Sequence, residues 1–191
     1  MQAFYQGKID NFCAYYAVLN ALQVLFRITP QHARKIFNRV LYGQIRNPAV
    51  FLDILEHKTD YVAQVDSMLE NIQRIDFPQL RVESPLLPGA SCQEIWETLR
   101  IAASPSLPVV SVFRFLRMVP QRKQPYSDHW TVGHYMDAGG LHLLDCSLEP
   151  GGLYCLPFSR ISDRPREREY VVIPPESVRI LSASGVMHSP V

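Results

Sequence analysis

The sequence predicts an α+β domain in which a helical half is followed by a sheet half. Three observations carry this prediction. Up to about residue 103, apolar residues recur at helical spacing behind recognisable N-caps. From Pro108 onward the pattern changes to strand-like alternation, as in Leu107-Pro108-Val109-Val110-Ser111-Val112-Phe113. Between two such strands, Asp137-Ala138-Gly139-Gly140 supplies hairpin chemistry, because glycine accepts the positive φ that tight turns require.

The elements follow in chain order. Cys13-Ala14-Tyr15-Tyr16-Ala17-Val18-Leu19-Asn20-Ala21-Leu22 is an apolar, helix-like run, entered from the turn-forming stretch Gly7-Lys8-Ile9-Asp10-Asn11. Thr29 as N-cap with Pro30 at the first helical position starts a second helix, with Ala33, Ile36, Phe37, Val40 and Leu41 on one face. Pro48 to His57 and Asp60 to Ile72 read as further helical pieces, and Leu80-Arg81-Val82-Glu83 as a short strand or a loop. Ser91 caps another helix, with Glu94 completing a capping box and Ile95, Trp96, Leu99 and Ala102 on its apolar face. Residues 108 to 119 form a strand, and the basic loop Pro120-Gln121-Arg122-Lys123-Gln124-Pro125 leads to the hairpin of 128–147. After the hairpin come Gly151-Gly152-Leu153-Tyr154-Cys155-Leu156, a charged stretch at 160–169 that reads as solvated, and a strand at Tyr170-Val171-Val172-Ile173-Pro174. The expected organisation is one domain spanning 1–191. Its helical half covers about 1–105, its sheet half about 106–182, and 183–191 form a loose tail.

Composition narrows the function classes. The chain has 191 residues, of which 47% are hydrophobic and 19% charged, which is ordinary for a globular domain with a substantial core. A net charge of +1 argues against nucleic acid or a membrane surface as partner. No apolar stretch approaches the roughly 20 residues of a membrane span, and no basic-then-apolar signal segment opens the chain. The expected location is cytoplasmic, or secreted without a classical signal peptide. The cysteines Cys13, Cys92, Cys146 and Cys155 show neither a Cys-x-x-Cys pair nor zinc-finger spacing. Free thiols are expected, with a Cys146–Cys155 disulfide as the alternative under oxidation. No metal or organic cofactor is expected.

The chemistry centres on Cys13. A thiol at a helix N-terminus faces unpaired backbone N–H groups and the positive end of the helix dipole, both of which favour thiolate. Far along the chain, His129 opens the first hairpin strand and Asp145 closes the second. In an antiparallel hairpin those ends are neighbours, although sixteen positions separate them. An imidazole beside a thiolate stabilises the ion pair and protonates a leaving amine, while a carboxylate on the far ring nitrogen fixes the tautomer. His134 and His142 compete for the base role, Asp128 for the orienting role, and Asp145 could instead cap the turn before Cys146-Ser147. Trp130 reads as core or as a shield over the His–Asp bond. Cys13 itself could be a small buried hydrophobe.

In the order and setting of these residues, the chain resembles the papain-like cysteine peptidase superfamily. Within it, the resemblance is to the peptidases that process double-glycine leaders of bacteriocins and to their stand-alone relatives. It covers residues 1 to 150. The resemblance implies Cys13 as nucleophile, His129 as base, Asp145 as its orienting residue and Gln6 as an oxyanion donor, with Gln2 and Asn11 as substitutes. It further implies a papain-like fold, with the nucleophile helix packed on an antiparallel sheet and the basic loop overhanging the site.

The expected function is a cysteine peptidase-like hydrolase acting on a peptide or protein substrate through a thioester acyl-enzyme. An acyltransferase or deamidase on the same frame is the first alternative, and a non-catalytic binding module the second. The oligomeric state is not legible in the sequence.

Overall fold

Helix α1 (Cys13–Phe26) is apolar around most of its circumference, and such a helix is stable only when covered on all sides. In the computed structural model, which describes residues 3–5, 12–56, 58–104, 108–120, 122–147 and 153–184, it is covered on all sides. Ala14, Ala17, Val18, Ala21 and Leu22 are almost wholly buried. Covering a Val or Leu side chain contributes about 1.5–3 kcal/mol, so this one helix is a large share of the core.

Its neighbours are helices and a sheet. Helix α2 (Pro30–Ile45) begins as its sequence signals require, with the Thr29 hydroxyl accepting from the His32 N–H. The short α3 (Pro48–Leu55) leads to α4 (Tyr61–Ile75), whose N-cap Asp60 accepts from the Val62 and Ala63 amides. Strand β1 (Leu80–Glu83) precedes α5 (Cys92–Ala102), which carries the complete Ser91–Glu94 capping box. The remaining strands are β2 (Val109–Met118), β3 (Ser127–Asp137), β4 (Gly140–Leu144), β5 (Cys155–Leu156), β6 (Tyr170–Val172) and β7 (Arg179–Ala183).

The seven strands form one antiparallel sheet in the order β1-β7-β2-β3-β4-β5, and β6 pairs with the far end of β2. The class is therefore α+β. Alternation along the strands splits the core in two. Val110, Val112, Trp130, Val132 and Leu181 pack with α1, α2 and α4 on one face. Phe113, Phe115, Leu141, Leu143 and Val171 pack with Ile95 and Leu99 of α5 on the other. Arg179 ties sheet to helices, because its buried guanidinium forms a fork with Asp66 of α4 at 2.6 and 2.8 Å. Such a charge is tolerated inside only when paired.

Several expectations are corrected. Strand β1 comes from the helical half yet pairs with β7 near the other end of the chain, so the two halves interlock through the sheet. Ala183 is not loose: it sits in β7 opposite Leu80, and the Ser184 N–H donates to the Gln79 carbonyl. Residues 185–191 lie outside the described set. The stretch 160–169 is not a purely solvated loop. Ile161 and Ser162 are buried, and Glu169 is held by both Arg117 and Arg160. On α2, as expected of one face, Ala33 and Ile36 are buried and Phe37, Val40 and Leu41 pack partly buried against the same core. Trp96 is half-buried and packs against the Ile95–Leu99 cluster, on the face expected of it. The cysteines, too, are as expected: none of the four forms a disulfide, Cys146 and Cys155 included.

The hairpin turn rests on Gly140, whose φ of +133° belongs to a region side chains avoid, and whose missing Cβ would lie 2.5 Å from the Leu156 carbonyl oxygen. Gly140→Ala is expected to cost about 3 kcal/mol through backbone strain and overpacking. The measurement is the urea midpoint of the variant against the native chain; a loss below about 1 kcal/mol would contradict the packing described.

Candidate active site

Cys13 is the first residue of α1 and is 7% exposed. The residue before it, Phe12, is apolar and gives no side-chain cap, and no acidic residue lies in the first turn. The positive end of the helix is thus left to the thiol itself. Phe12 is spent on packing instead: its ring meets Tyr15 and Phe37 edge-on at 5.5 and 5.6 Å, which anchors the start of the helix. One polar residue interrupts the buried surface of α1. Asn20, with no exposure, accepts from the Phe4 N–H at 2.6 Å and donates to the Phe4 carbonyl at 3.2 Å. The chain that leads to the nucleophile is pinned there, to the same helix that carries it.

The hairpin brings its two ends together. His129 Nε2 lies 2.8 Å from Asp145 Oδ1, and Asp145 is 4% exposed. The same carboxylate oxygen accepts from the Ser147 N–H at 2.8 Å. Asp145 therefore orients the histidine and caps the turn at once, and the two readings of it are compatible. With Nε2 engaged, Nδ1 is the ring nitrogen left to face a nucleophile. Burial alone would push the imidazole's pKa down, but hydrogen bonds to Asp145, Cys13 and Cys146 outweigh it and hold the pKa well above the usual range. An imidazolium beside Cys13 is the partner a thiolate needs.

The competing assignments resolve by contact. Asp128 is taken by Arg114 in a two-point fork at 2.7 and 2.5 Å. His142 bonds Asp137 at 2.7 Å and stacks on Tyr135 at the turn. His134 sits where the β3–β4 register shifts, and burial first, then His142, lowers its pKa. Among the described residues, neither of these two histidines joins the group around Asp145. Trp130 is core, packed in the same cluster as Cys13. Gln6, Gln2, Asn11 and Gln121 lie outside the described residues.

Three neighbours escape a sequence reading. Cys146 is buried, and its Sγ lies 3.6 Å from His129 Nε2 and 4.0 Å from the Cys13 carbonyl. Burial raises its pKa, against the opposing pull of His129. Its only signal in the sequence is that it follows Asp145. Tyr61, at the start of α4, donates to the Ile54 carbonyl at 2.8 Å. Burial first, and then Cys13, Tyr15 and Asp128, push its pKa up, which places it within electrostatic reach of the thiol. Arg114 faces the same region from β2. These contacts cross from one half of the chain to the other, and no local pattern announces them.

The assembled chemistry is a thiol at a helix N-terminus, an imidazole whose pKa its hydrogen bonds raise, and a buried carboxylate 2.8 Å from its Nε2. Compared with protein-family models and with curated proteins, the chain matches none. No helix among the described residues is long and apolar enough to cross a membrane.

The raised imidazole pKa makes a pH prediction. A group whose charged form is favoured keeps its proton as pH rises past its ordinary value, about 6.5. Between about pH 6 and about pH 8, brief iodoacetamide labelling should reach Cys13 before Cys92, Cys146 and Cys155. Asp145→Asn removes a bond that holds the charge and should bring a titration into that window. Mass spectrometry of the labelled peptides reads both. Cys13 labelling no faster than Cys92 would contradict the arrangement.

Proposed function

We propose that this protein is a papain-like cysteine hydrolase that cleaves a peptide or amide bond through a Cys13–His129–Asp145 triad. The observation that carries the reading is the 2.8 Å bond between His129 Nε2 and Asp145, made while the same imidazole hydrogen-bonds the thiol at the start of α1. It supports a division of labour that acyl transfer to sulfur demands. The Cys13 thiolate attacks the carbonyl carbon, and the C–S bond forms as the carbonyl electrons move onto oxygen. The backbone N–H of Cys13 stabilises that oxyanion, and Gln6 is the proposed second donor. The His129 imidazolium gives its proton to the amine, the C–N bond breaks, and a thioester remains on Cys13. The now neutral imidazole takes a proton from water, which attacks the thioester and regenerates the pair. Asp145 keeps the ring in one orientation throughout and stabilises its cationic form.

Transfer to another amine, or deamidation of a side-chain amide, uses the same steps with a different acceptor or substrate. Hydrolysis is the reading proposed, since water is the simplest acceptor for the thioester. A peptide or protein is the proposed substrate.

The test is turnover of a fluorogenic peptide library, with thioester trapping followed by intact mass. Cys13→Ala and His129→Ala should each lower kcat/KM by at least about 10³-fold with the fold retained by circular dichroism. Gln6→Ala should lower kcat by about 10²-fold or more, the typical effect of one lost oxyanion donor. A thioester that forms on any other cysteine, or turnover that survives Cys13→Ala, would overturn the proposal.

A further inference from the structure

The reaction just described uses His129 and Asp145 but gives no task to Cys146, which is almost completely buried against them. One donor atom from each of His129, Asp145 and Cys146 lies within 4.8 Å of the other two. Imidazole nitrogen, carboxylate oxygen and thiol sulfur are together the donor set that zinc and similar borderline-soft cations take. The spacing suits such an ion. Cys146 Sγ stands 3.6 Å from His129 Nε2, and the nitrogen–sulfur separation across a tetrahedral zinc ion is also about 3.6 Å. His129 Nε2 and Asp145 Oδ1 are 2.8 Å apart, so they would need to open by about half an ångström to admit the ion. Asp145 has an anchor for that movement, since its carboxylate is also held by the Ser147 N–H. Cys13 is not part of the group.

We propose that His129, Asp145 and Cys146 form a binding site for a thiophilic divalent cation, Zn²⁺ in particular, and that its occupation switches the Cys13 site off. On binding, the Cys146 thiol and His129 Nε2 each release a proton to solvent and turn a lone pair to the metal. The imidazole then keeps one proton, on Nδ1, and is neutral. Its Nε2 is then committed to the metal, and Asp145 can no longer act on that nitrogen to orient the ring toward Cys13. The inhibitory consequence rests on the cysteine-hydrolase reading, whereas the binding of the metal does not.

The experiment titrates Co²⁺ into the full chain and follows thiolate-to-cobalt charge-transfer absorption, with Zn²⁺ then added to displace it. The native chain should show a band that saturates at one equivalent. A variant carrying Cys13→Ala, Cys92→Ala and Cys155→Ala retains Cys146 as its sole thiol and should show the same band. Cys146→Ala should weaken binding by at least about tenfold. The absence of a saturable band in the native chain, its loss with Cys13→Ala, or its survival in Cys146→Ala would each overturn the site. In parallel, Zn²⁺ should slow iodoacetamide labelling of Cys13 at least about tenfold, and a chelator should restore it. Unchanged, rapid Cys13 labelling with the metal bound would overturn the switch. Slow labelling with and without metal, beside a saturable cobalt band, would instead sink the hydrolase reading and leave the metal site standing.

Discussion

Everything in the site depends on where the two ends of the β3–β4 hairpin meet. Asp145 is nearly inaccessible to water, and a buried carboxylate needs partners to remain charged. It finds them in the His129 ring and the Ser147 amide, both at 2.8 Å. The histidine in turn is aimed by that bond. The contact is maintained by a turn far from it: Gly140 lets β3 reverse directly into β4 while β5 passes close by. The register shift at His134 changes the pairing midway, yet the pairs Val132–Leu144 and Gly133–Leu143 restore it before the hairpin ends.

The nucleophile is held by a different kind of constraint. Helix α1 has almost no freedom because apolar neighbours enclose it, with α2 and α4 on one side and the sheet on the other. Its N-terminus therefore points where the packing sends it, and packing in a dense core is not easily deformed. Asn20 holds Phe4 to the same helix through its two bonds to that residue's backbone. The enclosure also gathers thiols. Cys13 and Cys146 belong to the same buried cluster, and the Cys146 sulfur lies 4.0 Å from the Cys13 carbonyl.

Much of this was legible in the sequence wherever the signal is local. The Thr29 and Ser91 caps, the start of α1 at Cys13 and the turn at 137–140 all follow from short-range rules about backbone donors and φ. The pairing of His129 with Asp145 was legible too, because the geometry of a hairpin converts sequence symmetry about a turn into spatial contact. What stayed hidden depends on long-range assembly. Strand β1 meets β7 across about a hundred residues, and its four-residue pattern carries no trace of its partner. Asp128 looked like a second orienting carboxylate until Arg114, a neighbour only through β2–β3 register, claimed it. Cys146 read as one thiol among four, since burial and the facing imidazole are properties of the fold. The oxyanion donor belongs to the same class: Gln6 rests on the resemblance alone and lies outside the described residues.

The central claim is that Asp145 and Cys13 together keep the His129 imidazole cationic. Nitrogen-15 NMR of a histidine-labelled chain reads this directly, comparing the native protein with Cys13→Ala from about pH 6 to about pH 9. The account predicts one ring, assigned through its loss in His129→Gln, with both nitrogens protonated across the whole range. In Cys13→Ala that ring should lose a proton within the range. A His129 ring that is neutral at about pH 7.5 in the native chain would contradict it.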